Sequence, residues 1–286
     1  MDACVCPVCH SCSGELFQEV NQHNYFQCQS CDVLFISPEV LENMDNGTFL
    51  INYNSNYWQE ELKAAKERSW GTALARTAEV FLYSKLPITK FIDIGSGPGY
   101  FLDAISYQLP SSKEIFYAAE LFPPADEYCT KSPNYHKGDI LDLNFQFDAG
   151  CCIEVIEHLT PKMVESLFQS LAMKSKPNSI YIFNTGLVEY IKNEDPGYLD
   201  PIVRGHVMGW SLKAIQFLAE PIGFNIIPIP GKTWAFIAEF QPNHNAELPI
   251  TDRIWSALPE NKEILSDKAT GNLMYVLGLD TTRAYL

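Results

Sequence analysis

The chain is short of positive charge: Lys and Arg number 20 against 35 Asp and Glu, a formal net charge of −15 at pH 7. Nucleic-acid binding draws most of its affinity from basic side chains meeting phosphates, so this balance argues against a nucleic-acid partner. No apolar run approaches the roughly 20 residues of a membrane span, and the opening MDACVCPVCH does not read as a secretory signal. Nothing repeats internally, which sets aside solenoids and arrays. The expected setting is therefore a reducing cytoplasm, with no membrane. There Cys129, Cys151 and Cys152 serve as small core residues rather than disulfide partners. At 286 residues the chain can enclose a large core and carry a small satellite domain.

What the chain does have is concentrated in KFIDIGSGPGYFL, residues 90–102. A short apolar run ends in Asp93, passes through Gly95, Gly97 and Gly99, and enters a helical pattern with Phe101, Leu102 and Ile105 on one side. Glycines without Cβ let a ligand lie against the backbone, and the free N–H groups of the following helix attract an anionic group. Pro98 suits the first turn of that helix. A second strand-like run, EIFYAAEL, ends at Glu120, 25 residues after Gly95, where a doubly wound fold places an acid that grips ribose hydroxyls. Gly138, Asp139 and Ile140 follow a third extended run, and FDAGCCIEV ends at Glu154 before Ile156, Glu157 and His158. Asp93, Glu120, Asp139 and Glu154 thus fall in order at the carboxyl ends of predicted parallel strands, where open α/β sheets bind ligands.

On these residues the region 85–240 resembles the class I S-adenosylmethionine-dependent methyltransferases. DIGSGPG is similar to their glycine-rich first motif and FDAGCCIEVIEHL to their fourth-strand motif. The resemblance implies an α/β, Rossmann-like sheet of seven strands, mostly parallel with the last antiparallel, and a cofactor-binding set of Asp93, Gly95, Gly97, Gly99, Glu120, Asp139, Ile140 and Glu154. Within it, Gly95 and Gly97 approach the methionine part, Glu120 the ribose, Asp139 the adenine amino group and Ile140 the adenine face. A nicotinamide-dependent dehydrogenase is the rival on the same architecture, but its Gly-x-Gly-x-x-Gly would place the third glycine one position later than Gly99.

CPVC at Cys6 and Cys9 and CQSC at Cys28 and Cys31 are two Cys-x-x-Cys knuckles separated by 18 residues. That spacing puts four thiolates around one tetrahedral zinc ion and leaves no open position, so the site reads as structural. Cys4, His10 and Cys12 blur the first knuckle, because Cys9 and Cys12 are also two residues apart. With NYFQCQSCDVLFISPEV and INYNSNYWQEEL, this end resembles the zinc ribbon that precedes the methyltransferase domain in a sugar and surface-polysaccharide family, the deoxysugar C-methyltransferases among them. The likeness implies that Tyr53 or Tyr57 covers the cofactor or substrate; packing at a domain junction is the alternative for each.

Residues 187–209, LVEYIKNEDPGYLDPIVRGHVMG, form the longest stretch without clear periodicity, expected as a lid or binding loop. Tyr190, Glu194, Asp195, Tyr198, Asp200, Arg204 and His206 suit a polar substrate. His206 is the candidate proton acceptor, with Tyr198 and Arg204 positioning substrate and His158 as the competing base; anchoring of its own loop is the alternative for His206.

The expected domains are a zinc ribbon over 1–45, a helical linker over 46–86, the methyltransferase domain over 87–242 and a helical extension over 243–286. The linker is expected as one helix from Gln59 to Leu86. In the extension, Ile254, Trp255, Leu258, Ile264, Leu273, Met274, Val276 and Leu277 suggest helices packed on the catalytic domain or on a second copy in a homo-oligomer. The expected activity is methyl transfer to an oxygen or carbon of a small polar metabolite such as a sugar nucleotide. An RNA methyltransferase and a noncatalytic cofactor-binding scaffold are the alternatives.

Overall fold

The computed structural model describes residues 4–51, 55–242 and 249–266; Tyr53 and the apolar positions 273–277 lie outside them. In chain order the strands are β1 (Gly14–Val20), β2 (His23–Cys28), β3 (Leu34–Ile36), β4 (Phe91–Ile94), β5 (Phe116–Glu120), β6 (Tyr135–Lys137), β7 (Phe147–Ile153), β8 (Ser175–Asn184), β9 (Met208–Gly209), β10 (Phe224–Pro228) and β11 (Ala235–Phe240). The helices are α1 (Pro38–Asp45), α2 (Ser55–Trp70), α3 (Thr72–Tyr83), α4 (Tyr100–Gln108), α5 (Pro161–Lys174), α6 (Val188–Asn193), α7 (Leu212–Ala219), α8 (Ile250–Arg253) and α9 (Pro259–Ser266).

A seven-stranded sheet runs in the order β10, β11, β8, β7, β4, β5, β6. From β4 the chain winds through β5 to β6, then returns to the other side of β4 with β7 and β8. The boundary between β4 and β7 is therefore the topological switch point, outside whose carboxyl edge such sheets bind ligands. β4 pairs in parallel with both β5 and β7, and β5 with β6. Every residue of β4 and β7 is buried, as a parallel strand covered on both faces requires. The α/β, Rossmann-like architecture expected from the sequence is the one the chain adopts.

The chain divides into two units: 1–52, 154–172 and 184–237 form the first, and 53–153, 173–183 and 238–286 the second. In the second, Phe81, Phe91, Phe101 and Phe116 are fully buried, with ring centroids 5.3 to 6.3 Å apart. Each such burial contributes roughly 1.5–3 kcal/mol, and together they fix β4 and β5 against α3 and α4. The single helix expected over 59–86 is two helices broken at Gly71, a residue that weakens a helix interior. Beyond β11, Arg253 forks onto Glu239 at 2.8 and 3.1 Å, and the Asn261 side chain bonds the backbone of Leu86 and Ile88 at 3.0 Å each. These contacts seat α8 and α9 on the same unit.

In the first unit β1, β2 and β3 form an antiparallel meander, and β9 adds to it beside β3, Leu34 opposite Gly209 and Phe35 opposite Met208. The sequence suggested an irregular loop over 187–209. Its start is α6, because Val188 and Ile191, three apart, bury one face, and its end is β9, whose two residues are too few to show periodicity. Thr160 caps α5 through its hydroxyl, and Ser211 caps α7 with Oγ accepting from Ala214 N–H at 3.0 Å. Among the described residues no helix is long and apolar enough to cross a membrane.

Candidate functional site

The turn between β4 and α4 lies in the second unit. Gly95, Gly97 and Gly99 all take left-handed backbone, φ +67°, +56° and +76°. A Cβ at Gly97 would stand 3.1 Å from the Trp58 ring, and one at Gly99 would stand 2.6 Å from Thr130 Cγ2, so side chains are excluded by space as well as by dihedral. Glu120, at the end of β5, takes Gly97 N–H on Oε2 and Phe122 N–H on Oε1, each at 2.8 Å. The Tyr135 hydroxyl donates to Gly97 O from the start of β6. Burial pushes the Glu120 carboxyl above its ordinary range despite these donors.

Asp93 is buried beneath the turn and accepts from the Ser96 hydroxyl and from Cys151 Sγ at 3.3 Å, the latter reaching across from β7. Burial raises its carboxyl to about 7, against the pull of these two donors. Gly138 N–H bonds Glu120 O at 2.9 Å, joining the ends of β5 and β6. Asp139 follows, its side chain accepting from Leu141 N–H at 2.9 Å and opening a 3-10 turn over Ile140–Asp142; Ile140 is buried. Tyr57 is half-buried and meets Trp58 edge-on, centroids 5.2 Å apart. The sequence named Asp93, the glycines, Glu120, Asp139, Ile140 and Tyr57, and carried no sign of Ser96, Trp58 and Tyr135, which brace them; Cys151 is the buried core residue expected and in addition bonds Asp93. Glu154 belongs to the first unit, at a left-handed φ of +54°, where it accepts from Asn184 Nδ2 at 2.8 Å.

A second group occupies the first unit around Glu157, His158 and His206, whose ligating atoms lie within 4.8 Å of one another. His158 Nδ1 lies 3.1 Å from Gly205 O, and His206 Nδ1 lies 2.8 Å from Tyr198 O. Since a carbonyl only accepts, both rings carry hydrogen on Nδ1 when neutral. The rings meet edge to face, centroids 4.8 Å apart, and the Tyr198 ring centroid lies 4.3 Å from that of His206. Tyr198 Oη accepts Gly186 N–H at 2.8 Å; burial, with the charges of Glu157 and Glu154, keeps its phenol well above its ordinary range. Burial and the Glu154 charge likewise raise Glu157. Arg204 pairs at 2.7 Å with Asp195 near the surface.

The β1 to β3 sheet holds this group in place. Tyr25 Oη donates to His206 O at 2.6 Å, Ile36 N–H to Val207 O at 3.0 Å, and the Ser211 hydroxyl to Cys31 O. Tyr25 and Glu157 were not singled out from the sequence; adjacency of Glu157 to His158 was the available signal.

The sulfurs of Cys6, Cys9, Cys28 and Cys31 also lie within 4.8 Å of one another, with Cys6 to Cys31 at 3.6 Å and Cys9 to Cys28 at 3.5 Å. Four sulfurs at about 2.3 Å from a tetrahedral zinc stand roughly 3.8 Å apart, so the group fits the ion. Backbone N–H groups of Val8, Ser30 and Cys31 approach the sulfurs at 3.3 to 3.4 Å, as thiolates require. The Cys31 hydrogen bond lowers the Cys6 thiol to about 5. Cys4, His10 and Cys12 stand outside the group.

No protein-family model and no curated protein matches the chain. Among solved structures it is similar to a chain of the complex between the Haloferax volcanii Trm112 methyltransferase activator and a methyltransferase, at 16% identity and TM-score 0.46, over 67% of this chain and 99% of that one. An amino pentose methyltransferase from Micromonospora echinaspora gives 14% and 0.44, over 64% and 96%. A sugar N-methyltransferase from Streptoalloteichus gives 12% and 0.43, over 59% and 87%. At these scores the likenesses add nothing to the strand order, which by itself defines the fold.

Proposed function

We propose that the chain is an S-adenosylmethionine-dependent methyltransferase acting on an oxygen or carbon of a small polar metabolite, with sugar nucleotides and surface-polysaccharide precursors as the substrate class. The observation that carries this reading is the turn of three left-handed glycines at the β4 and β7 switch point, with Glu120 opposite Gly97. Bound S-adenosylmethionine supplies a methyl already activated on a sulfonium, so the chain's task is alignment and removal of the acceptor's proton.

Gly95, Gly97 and Gly99 leave the backbone open to the donor. Glu120 offers two oxygens to the ribose hydroxyls, Asp139 and Ile140 take the adenine edge and face, and Asp93, Glu154 and Tyr57 complete the set. His206, with His158 and Tyr198 beside it, is assigned to the acceptor and its departing proton. Cys6, Cys9, Cys28 and Cys31 hold a structural zinc, a closed set with no position for substrate. The acidic balance of the chain favours a small molecule over RNA as the acceptor.

Methyl-labelled S-adenosylmethionine incubated with separate pools of sugar nucleotides, other polar metabolites and RNA tests the reading. Label should enter a small-molecule pool; label in RNA alone, or in none, contradicts it. With the acceptor in hand, a His206→Gln enzyme should keep its cofactor affinity and lose about 10²-fold in turnover. Unchanged turnover would remove His206 from the acceptor site.

A further inference from the structure

We infer that Glu157, His158 and His206 form a second metal site, a mixed nitrogen and oxygen set for one divalent first-row transition cation, separate from the four-cysteine group.

Three independent observations point there. The first is convergence: the ligating atoms of all three side chains fall within 4.8 Å of one another, and Glu157 Oε1 stands 3.9 Å from His206 Nε2. Ligands at 2.0–2.2 Å from one ion stand roughly 3–3.5 Å apart, so loading requires only a small inward turn of these side chains. The second is orientation. Each imidazole rests Nδ1 on a backbone carbonyl, His158 on Gly205 and His206 on Tyr198. That outer bond fixes the tautomer with the lone pair on Nε2 and orients the ring, the usual support of a metal-ligating histidine. Gly205 is at φ +74°, and a Cβ there would stand 3.1 Å from His158 Nδ1. The third is a buried, weakly held carboxylate. Glu157 is 0% exposed, and among the described residues neither of its oxygens has a partner in full hydrogen-bond geometry. Thr185 and Glu157's own backbone N–H answer only part of the burial cost, and a buried carboxylate so weakly held is unfavourable unless paired or bound to a cation.

The surrounding backbone holds the set rigid. Val207 N–H donates to Glu157 O at 2.9 Å and Trp210 Nε1–H to Ile156 O at 2.8 Å, tying the His206 segment to the Glu157 turn. Two imidazoles and a carboxylate suit zinc, manganese or ferrous iron, and three protein ligands leave positions open, as in catalytic rather than structural sites. The assignment of an ion here to the acceptor oxygen rests on the function proposed above and, because His206 Nε2 would then be a ligand, replaces His206 as the group that takes the proton; the binding claim itself rests on neither.

Cobalt titration of the full chain, with elemental analysis, tests it. Cobalt on four thiolates gives an intense sulfur-to-metal charge-transfer band, whereas a nitrogen and oxygen set gives only weak visible bands. The wild-type chain should take up two equivalents of cobalt, one of each kind. Glu157→Gln and His206→Asn should each weaken the second uptake by more than about 100-fold, beyond the loss of an outer-shell partner, and should leave the sulfur band unchanged, which reports that the unit is folded. Cys28→Ser should abolish the sulfur band. One equivalent only in the wild type, with cobalt, zinc and manganese alike, would overturn the site, as would a second equivalent indifferent to both variants. Absence of S-adenosylmethionine binding would overturn the function and leave the cobalt result standing.

Discussion

The turn after β4 and the segment after β8 each carry candidate chemistry, but they are held by different means. The first is local: Asp93, Ser96, Gly97 and Gly99 are near neighbours in the chain, and the main outside contributions come from Glu120, Tyr135 and Trp58. The second is assembled at long range, with His206 bonded to Tyr198 through Nδ1, to Tyr25 through its carbonyl, and flanked by a strand that pairs with β3. A local site survives damage elsewhere in the fold. One built from distant pieces depends on whatever holds those pieces, here the sheet that ends in the cysteine group.

The largest test of that contrast is Cys28→Ser. Structural zinc supplies on the order of 10 kcal/mol of folding free energy in small zinc domains. The variant should lose its metal by elemental analysis and lose hydrogen-exchange protection at Val207 and Met208, while the Gly95–Gly99 turn keeps its protection. Equal loss in both regions would erase the distinction.

A second test is specific to the local site. Asp93 has its carboxyl raised from 3.8 to about 7 by burial, so the folded state binds its proton more tightly than the unfolded state does. The cost of ionising it is absent below pH 4, grows as pH rises and is complete above about 7, amounting to roughly 4 kcal/mol at most. Asp93→Asn lacks that term. Its denaturation midpoint should therefore gain on the wild type between pH 5 and pH 8; parallel pH profiles would contradict the burial account.

The smallest effect is expected from Tyr25→Phe, which removes one hydrogen bond to His206 O and should cost about 1 kcal/mol. Thermal melting should show a drop of a few degrees with zinc content unchanged and faster exchange confined to the His206 segment. No change in that segment would make the Tyr25 bond incidental.

The same contrast explains what was legible in the sequence. The β4 turn, Glu120 and the paired cysteines each express their chemistry within a few residues, and each was readable. The addition of β9 to β3 was not, because Met208 and Gly209 carry no periodic signal and their partners lie more than a hundred positions away. Trp58 against Gly97 and Tyr25 on His206 are likewise meetings of distant residues that no local pattern announces. Val188 and Ile191 did carry the spacing of α6, but a helix of six residues offers too few positions to stand out. Gly71 was readable as a weak point and lay inside an otherwise continuous helical pattern.

Calorimetry of S-adenosylmethionine binding to the native chain and to Glu120→Ala tests the central claim most directly. The native chain should bind the cofactor at one site and not bind a nicotinamide dinucleotide. Loss of the charged acceptor should weaken binding by roughly 1.5–3 kcal/mol. No heat with S-adenosylmethionine, tight binding of the nicotinamide cofactor instead, or an affinity unmoved by Glu120→Ala would contradict the account.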